Sequence, residues 1–186
     1  MTRKLQMYLD EARCTSCGGA CCKNMPGLTT PEDWGAPDHD VMIRRLEVAF
    51  ATGDWAIDWW EGDPRKRARR PLSEVLYVRP STVEGKAEGR LMDPSWGGQC
   101  ALLTPTGCPL PREGRPTMCR TLEPLPEGLG RCEQHFLKKD VAATWIKYQT
   151  LLRALAQHAR LEGERQGEAR RRGGPASSAR KSRAGA

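Results

Sequence analysis

The sequence predicts an α+β domain, mostly helical and loop-rich, organised around a cysteine-ligated metal centre and carrying a long C-terminal helix. Three observations predict it. Val141, Trp145, Tyr148, Leu152, Leu155 and Ala159 recur at steps of four and three, which makes one apolar stripe along a helix. Leu76-Tyr-Val-Arg79, just ahead of Pro80, has the composition of a strand. Eight cysteines gather in two blocks of a 186-residue chain whose apolar fraction is only 38%. So thin a core needs a further tie, and clustered thiols binding a metal supply one.

Along the chain, the first block is Cys14-Thr-Ser-Cys17-Gly-Gly-Ala-Cys21-Cys22. Thr30-Pro31-Glu32-Asp33 reads as a helix start, with Thr as the cap and Pro at the first position. Asp38 or Asp40 caps a second segment in which Val41, Leu46, Ala49 and Phe50 fall near helical spacing. Asp54-Trp-Ala-Ile-Asp-Trp-Trp60 places Trp55 and Trp59 on one helical face, as a core patch or, alternatively, an aromatic wall for a substrate. After the 76–79 strand, Glu84-Gly-Lys-Ala-Glu-Gly89 is turn-prone. The second cysteine block, Cys100, Cys108, Cys119 and Cys132, lies in a stretch rich in Pro and Gly that reads as loops. The C-terminal helix begins near Lys138–Asp140 and fades beyond 165. Residues 1–160 therefore form the cysteine-cluster domain, and 161–186 a basic, largely disordered tail.

Charge and composition narrow the setting. The net charge of +7 is local: residues 160–186 and the run Arg65–Arg70 each contribute +5, leaving −3 elsewhere. These basic segments suit weak contact with nucleic acid, although a solvated charge run is the commoner use of such sequence. No stretch approaches the 18 apolar residues of a membrane span, and the N-terminal residues lack a secretory pattern, so a cytoplasmic location is expected. In a reducing compartment clustered cysteines bind metal or do redox chemistry more often than they pair. Nucleotide-binding, metalloprotease and serine-hydrolase signatures are missing, so neither an activity nor a protein partner or substrate is named by a motif.

A thiolate binds zinc or iron well because it is soft, charged and strongly donating. Cys14-x-x-Cys17 lets one turn present two sulfurs, and Gly18 and Gly19 permit the backbone to wrap an ion. Cys21 and Cys22 are adjacent, and neighbouring side chains diverge, so the second sulfur is expected to reach another metal or a bridging position. An ordinary zinc ribbon would repeat its Cys-x-x-Cys some 15–20 residues later. Here 77 residues separate Cys22 from Cys100, so the fold must gather the ligands between the N-terminal cluster and the 100–132 loops. All eight are candidate metal ligands. Arg115 and Arg120 flank Cys119 and are expected to offset thiolate charge. His135, three residues after Cys132, could replace it as a ligand, although a histidine without a metal role is the more usual reading.

The ordered set Cys14-x2-Cys17-x3-Cys21-Cys22, Cys100-Ala-Leu-Leu103, Gly107-Cys108, Arg115-Pro116-x2-Cys119-Arg120 and Cys132 resembles the CxxCxxCC-type cysteine-cluster family, the YkgJ-like proteins. That family is described as a zinc- or iron-chelating domain. The resemblance spans residues 14–136, and the Tyr77-Val-Arg-Pro80 strand also sits where that family tends to have one. The chain departs from it at Thr121-Leu-Glu-Pro124, where an aromatic residue and Pro often follow the Cys-Arg. The flagellin lysine methylases share a similar cluster with an iron–sulfur centre, which would imply an iron–sulfur-dependent protein-modifying enzyme. A zinc-stabilised module associated with nucleic acid is the other alternative. All-cysteine ligation suits both zinc and iron–sulfur centres, and irregular glycine-rich spacing favours iron, as a [4Fe–4S] cluster. The expected role is redox or accessory.

Overall fold

The computed structural model describes residues 6–65, 74–94, 97–125 and 132–172, with the side chains described as far as Leu161. Most of the Arg65–Arg70 run, Trp96, and residues 173–186 lie outside the described residues.

Two antiparallel strands, β1 (Trp55–Glu61) and β2 (Glu74–Pro80), form the centre, with Asp58 opposite Tyr77 and Ile57 opposite Val78. The Asp54–Trp60 segment is thus a strand, not the helix its tryptophans suggested. Bulky aromatic side chains fit a pleated surface with a partner, and β2 supplies that partner. Trp55 and Trp59 still share a face, because positions four apart agree at a period of two as well. Gly53, in the left-handed region at φ 72°, turns the chain out of the preceding helix into β1.

That preceding helix, α3 (His39–Ala51), begins at Asp38, whose carboxylate accepts from the Val41 amide at 3.0 Å. It buries Met42, Leu46 and Ala49, which recur at steps of four and three, against the strands. Thr30-Pro31 starts a short 3₁₀ turn, Pro31–Trp34, where the Asp33 carboxylate accepts from the Thr30 amide at 2.9 Å. The turn-prone 84–89 segment holds one helical turn, α4 (Val83–Ala87), capped by Thr82.

The C-terminal stripe is borne out, with one break. Helix α6 (Lys138–Trp145) passes through a 3₁₀ turn, Ile146–Tyr148, into α7 (Gln149–Arg172). Val141, Trp145, Leu152 and Leu155 are buried along it. The break centres on Gln149. The Gln149 side chain takes up the Trp145 carbonyl at 3.0 Å, the group that a continuous helix would offer to the Gln149 amide. The same side chain bonds both the amide and the carbonyl of Leu76 at 2.8 Å, closing the outer edge of β2. The helical backbone of α7 runs to Arg172.

One buried polar group joins core to site. Thr29 donates its amide (3.1 Å) and hydroxyl (2.6 Å) to the Val78 carbonyl. Its own carbonyl accepts from the Trp145 indole at 2.7 Å, and its hydroxyl from the Trp34 indole at 2.9 Å. The segment that follows the first cysteine block is thereby fixed to β2 and α6. Next to it, Arg79 lies between two buried carboxylates, Asp58 at 3.0 Å and Asp93 at 3.2 Å.

Candidate metal centre

The first four cysteines lie on two short helices. In α1 (Glu11–Ser16) the Asp10 carboxylate accepts from the Arg13 amide at 3.0 Å, and Cys14 sits mid-helix with Cys17 at its end. Gly18 and Gly19, both left-handed at φ 60° and 69°, reverse the chain into α2 (Ala20–Asn24), which carries Cys21 and Cys22. A Cβ on Gly19 would come within 2.6 Å of Leu103, so that position also admits the later loop.

The second four arrive from separate places. The Cys100 amide donates to the Cys22 carbonyl at 2.8 Å and the Gly98 amide to the Asn24 carbonyl at 2.9 Å, a short ladder that docks 98–100 on α2. A tight turn between Thr104 and Gly107 presents Cys108. Cys119 is on one helical turn, α5 (Thr117–Arg120), held by the Met118 amide donating to the Leu28 carbonyl at 3.1 Å. Cys132 opens β4 (Cys132–Gln134), paired with Pro124 of β3 (Leu122–Pro124). Expected loops thus proved to be loops at Cys100 and Cys108, but a helical turn and a small hairpin at Cys119 and Cys132.

All eight are free thiols. Seven of them line two adjoining hollows, and Cys100 lines neither. The outer, about 310 Å³, has Cys14, Cys17, Cys21 and Cys132 on its walls, together with Arg13 and Pro124. The inner, about 40 Å³, is bordered by Cys22, Cys108 and Cys119, and meets the outer at Cys14, Cys21 and Cys132. The Cys21 and Cys22 sulfurs are 3.9 Å apart.

Burial dominates the electrostatics of the thiols. Burial pushes the Cys14 thiol up to about 11, with Arg115 pulling the other way, and burial likewise pushes Cys100 up to about 11. Burial also raises Cys119 and Cys132. Cys21 and Cys22 share a hydrogen bond that lowers the first and raises the second. Thiolates are the ligating form, and a metal ion supplies the positive charge that would hold these buried sulfurs deprotonated.

Spacing bears on which centre fits. A tetrahedral zinc with bonds of about 2.3 Å needs sulfurs roughly 3.8 Å apart. Among the described residues, Glu123, Glu133 and His135 bring three ligand atoms within 4.8 Å of one another, whereas no three of the sulfurs meet that closely. The thiols border one roomy and one narrow hollow instead of converging on a single point.

The two flanking arginines part ways. Arg115 is buried, donates to the Leu110 carbonyl at 3.0 Å, and is a charge neighbour of Cys14, Cys21 and Cys119. Arg120 instead pairs with Asp33 and with the Thr117 hydroxyl, so its guanidinium is engaged away from the sulfurs. His135 accepts or donates toward Glu123 at 2.7 Å, beside Glu133, and lines neither hollow. Trp55 packs edge-on against Trp34 at 4.8 Å, and no tryptophan among the described residues borders the thiols.

Sequence reasoning missed Arg13 and Gly27. Arg13 bonds the Leu125 carbonyl and borders the outer hollow, yet one basic residue beside a cysteine carries no signal of its own. Gly27 lies against the Cys119 sulfur, a contact between residues 92 positions apart. Compared with protein-family models, curated proteins and solved structures, the chain finds no match. Its function is therefore read from the site. Among the described residues, no helix is long and apolar enough to cross a membrane.

Proposed function

We propose that this chain is a metal-binding protein whose clustered cysteines coordinate an iron–sulfur centre, with a redox or accessory role. One observation carries the reading. Eight free thiols from six separated places in the chain border two adjoining hollows or pack beside them, and no three are as close as a lone zinc ion would draw them. Burial raises the Cys14, Cys100, Cys119 and Cys132 thiols, and a bound metal ion would offset that cost by favouring the thiolates.

When bound, such a centre supplies a delocalised iron–sulfide core able to pass single electrons. The protein's own residues do the rest. The two left-handed glycines orient Cys14, Cys17, Cys21 and Cys22, the 98–100 ladder holds Cys100, and Arg115 offsets thiolate charge. Cys17 is exposed at the mouth of the outer hollow, which gives a reductant or partner a short approach.

The test is anaerobic purification of the full chain, followed by metal and acid-labile sulfide analysis with a visible spectrum. Iron with matching sulfide and a broad absorbance near 400 nm is expected for thiolate-bound clusters. Zinc without sulfide would replace iron by a structural metal. Protein with neither metal nor sulfide, and eight freely titrating thiols, would sink the reading.

A further inference from the structure

We infer that the eight thiols form two separate four-cysteine sites, an outer one of Cys14, Cys17, Cys21 and Cys132 and an inner one of Cys22, Cys100, Cys108 and Cys119. This rests on the metal-binding reading above and goes beyond it by dividing the ligands.

The division follows from who stands beside whom. The thiol neighbours of Cys14 are Cys17, Cys21 and Cys132, and those of Cys132 are Cys17 and Cys21. Cys22 has Cys119 and Cys100 as charge neighbours besides Cys21, and Cys119 has Cys100 and Cys108 besides Cys21. Cys100 has Cys108. Cys21 is the charge neighbour common to both groups, and Cys14 and Cys132 also border the inner hollow. The walls of the outer hollow agree, for the four cysteines on it are the four of the first group and no others.

Chain geometry explains the split. Consecutive residues on a helix point about 100° apart, since 3.6 residues complete a turn. Cys21 and Cys22, side by side on α2, therefore serve different sides, and their sulfurs at 3.9 Å mark where the two sites adjoin. Four sulfurs satisfy either a tetrahedral ion or one cubane, so eight make two complete sets and leave none over. Arg13 bears on Cys132 in the outer site, and Arg115 on Cys14 and Cys119 on either side of the junction.

The sites differ in exposure. Cys17 is exposed and the outer hollow is roomy, whereas Cys100 is buried and the inner hollow is narrow. The outer site is thus the one that loses its metal first to chelator or oxygen, and the inner site the one that outlasts it.

The experiment counts metal and sulfide in the anaerobically purified full chain and in variants of the exposed half. Cys17→Ala and Cys132→Ala should each retain half of the wild-type content, and the double variant should retain that same half. Cys17→Ala combined with Cys108→Ala should lose nearly all of it. Because inner variants can fail to fold, a second measurement uses the loaded Cys17→Ala protein alone. Alkylation followed by peptide mass analysis should label Cys14, Cys21 and Cys132 while sparing Cys22, Cys100, Cys108 and Cys119. Wild-type protein holding a single site's worth of metal would overturn the division while leaving metal binding intact. So would a double outer variant that loses more than either single one, or labelling that does not follow the two groups. Wild-type protein with no metal at all would instead defeat the underlying metal-binding reading.

Discussion

Gly27 packs its bare α-carbon against the sulfur of Cys119, leaving no room for a methyl group between them. Gly27 precedes Leu28, whose carbonyl holds the Met118 amide, so the two contacts fix α5 from both sides. A Gly27→Ala change would have to push the thiol aside. Overpacking of this kind costs about 1–3 kcal/mol, and here it falls on a proposed ligand. The expected outcome is a chain that still folds, shown by its far-ultraviolet circular dichroism, but with reduced bound metal. Unchanged metal content would mean that Cys119 does not contribute a ligand from this position.

Arg79 is buried between Asp58 and Asp93 and also donates to the Pro80 carbonyl at 2.8 Å. Arg79→Leu keeps much of the bulk but leaves two carboxylates buried without their common partner. Breaking a buried pair from one side costs about 3–5 kcal/mol. The urea midpoint should fall accordingly. Replacing Asp58 by Asn should cost less, because the amide keeps an acceptor for Arg79 and Asp93 remains.

Gln149 closes the edge of β2 through both polar groups of Leu76 and also takes the Trp145 carbonyl. Gln149→Ala would leave these backbone groups unpaired at a cost of about 1–3 kcal/mol. Hydrogen exchange at the Leu76 amide should accelerate markedly. Exchange there at the wild-type rate would show that the edge is closed by something else.

Tyr77 is buried, and burial first, then the neighbouring Asp58 charge, pushes its hydroxyl above the ordinary value of 10. Above pH 10 the unfolded chain ionises this tyrosine while the folded chain keeps it neutral. The folded state then binds more protons, so stability falls as pH rises, by about 1.4 kcal/mol per pH unit from this group. Denaturant unfolding of the wild type and of Tyr77→Phe between pH 9 and about 11 isolates the effect. The variant should lack this part of the slope, and parallel slopes would contradict it.

Legibility in the sequence followed the range of the interaction. The C-terminal stripe was readable because helix period is local, and Val141, Trp145, Leu152 and Leu155 are buried as it requires. The 3₁₀ turn inside it was not, because it depends on Gln149 reaching Leu76, 73 residues earlier. Trp55 and Trp59 are four apart, a spacing that helix and strand both place on one face, and only pairing with β2 decides between them. Arg115 and Arg120 looked equivalent beside Cys119. Asp33, far away in sequence, claims the second. The eight cysteines were identifiable by type and clustering, yet their grouping depends on loops that the sequence spaces without a repeat.

The 109 residues between Cys22 and Cys132 also set a clock. At about 5–20 residues per second of synthesis, Cys14, Cys17, Cys21 and Cys22 emerge roughly 5 to 20 seconds before the last cysteine does. During that interval neither set of four is whole, and the vicinal pair Cys21–Cys22 is a reactive dithiol open to oxidants and stray ions. Neither proposed set of four can therefore close before Cys132 has been made, and reducing conditions until then would protect the earlier thiols.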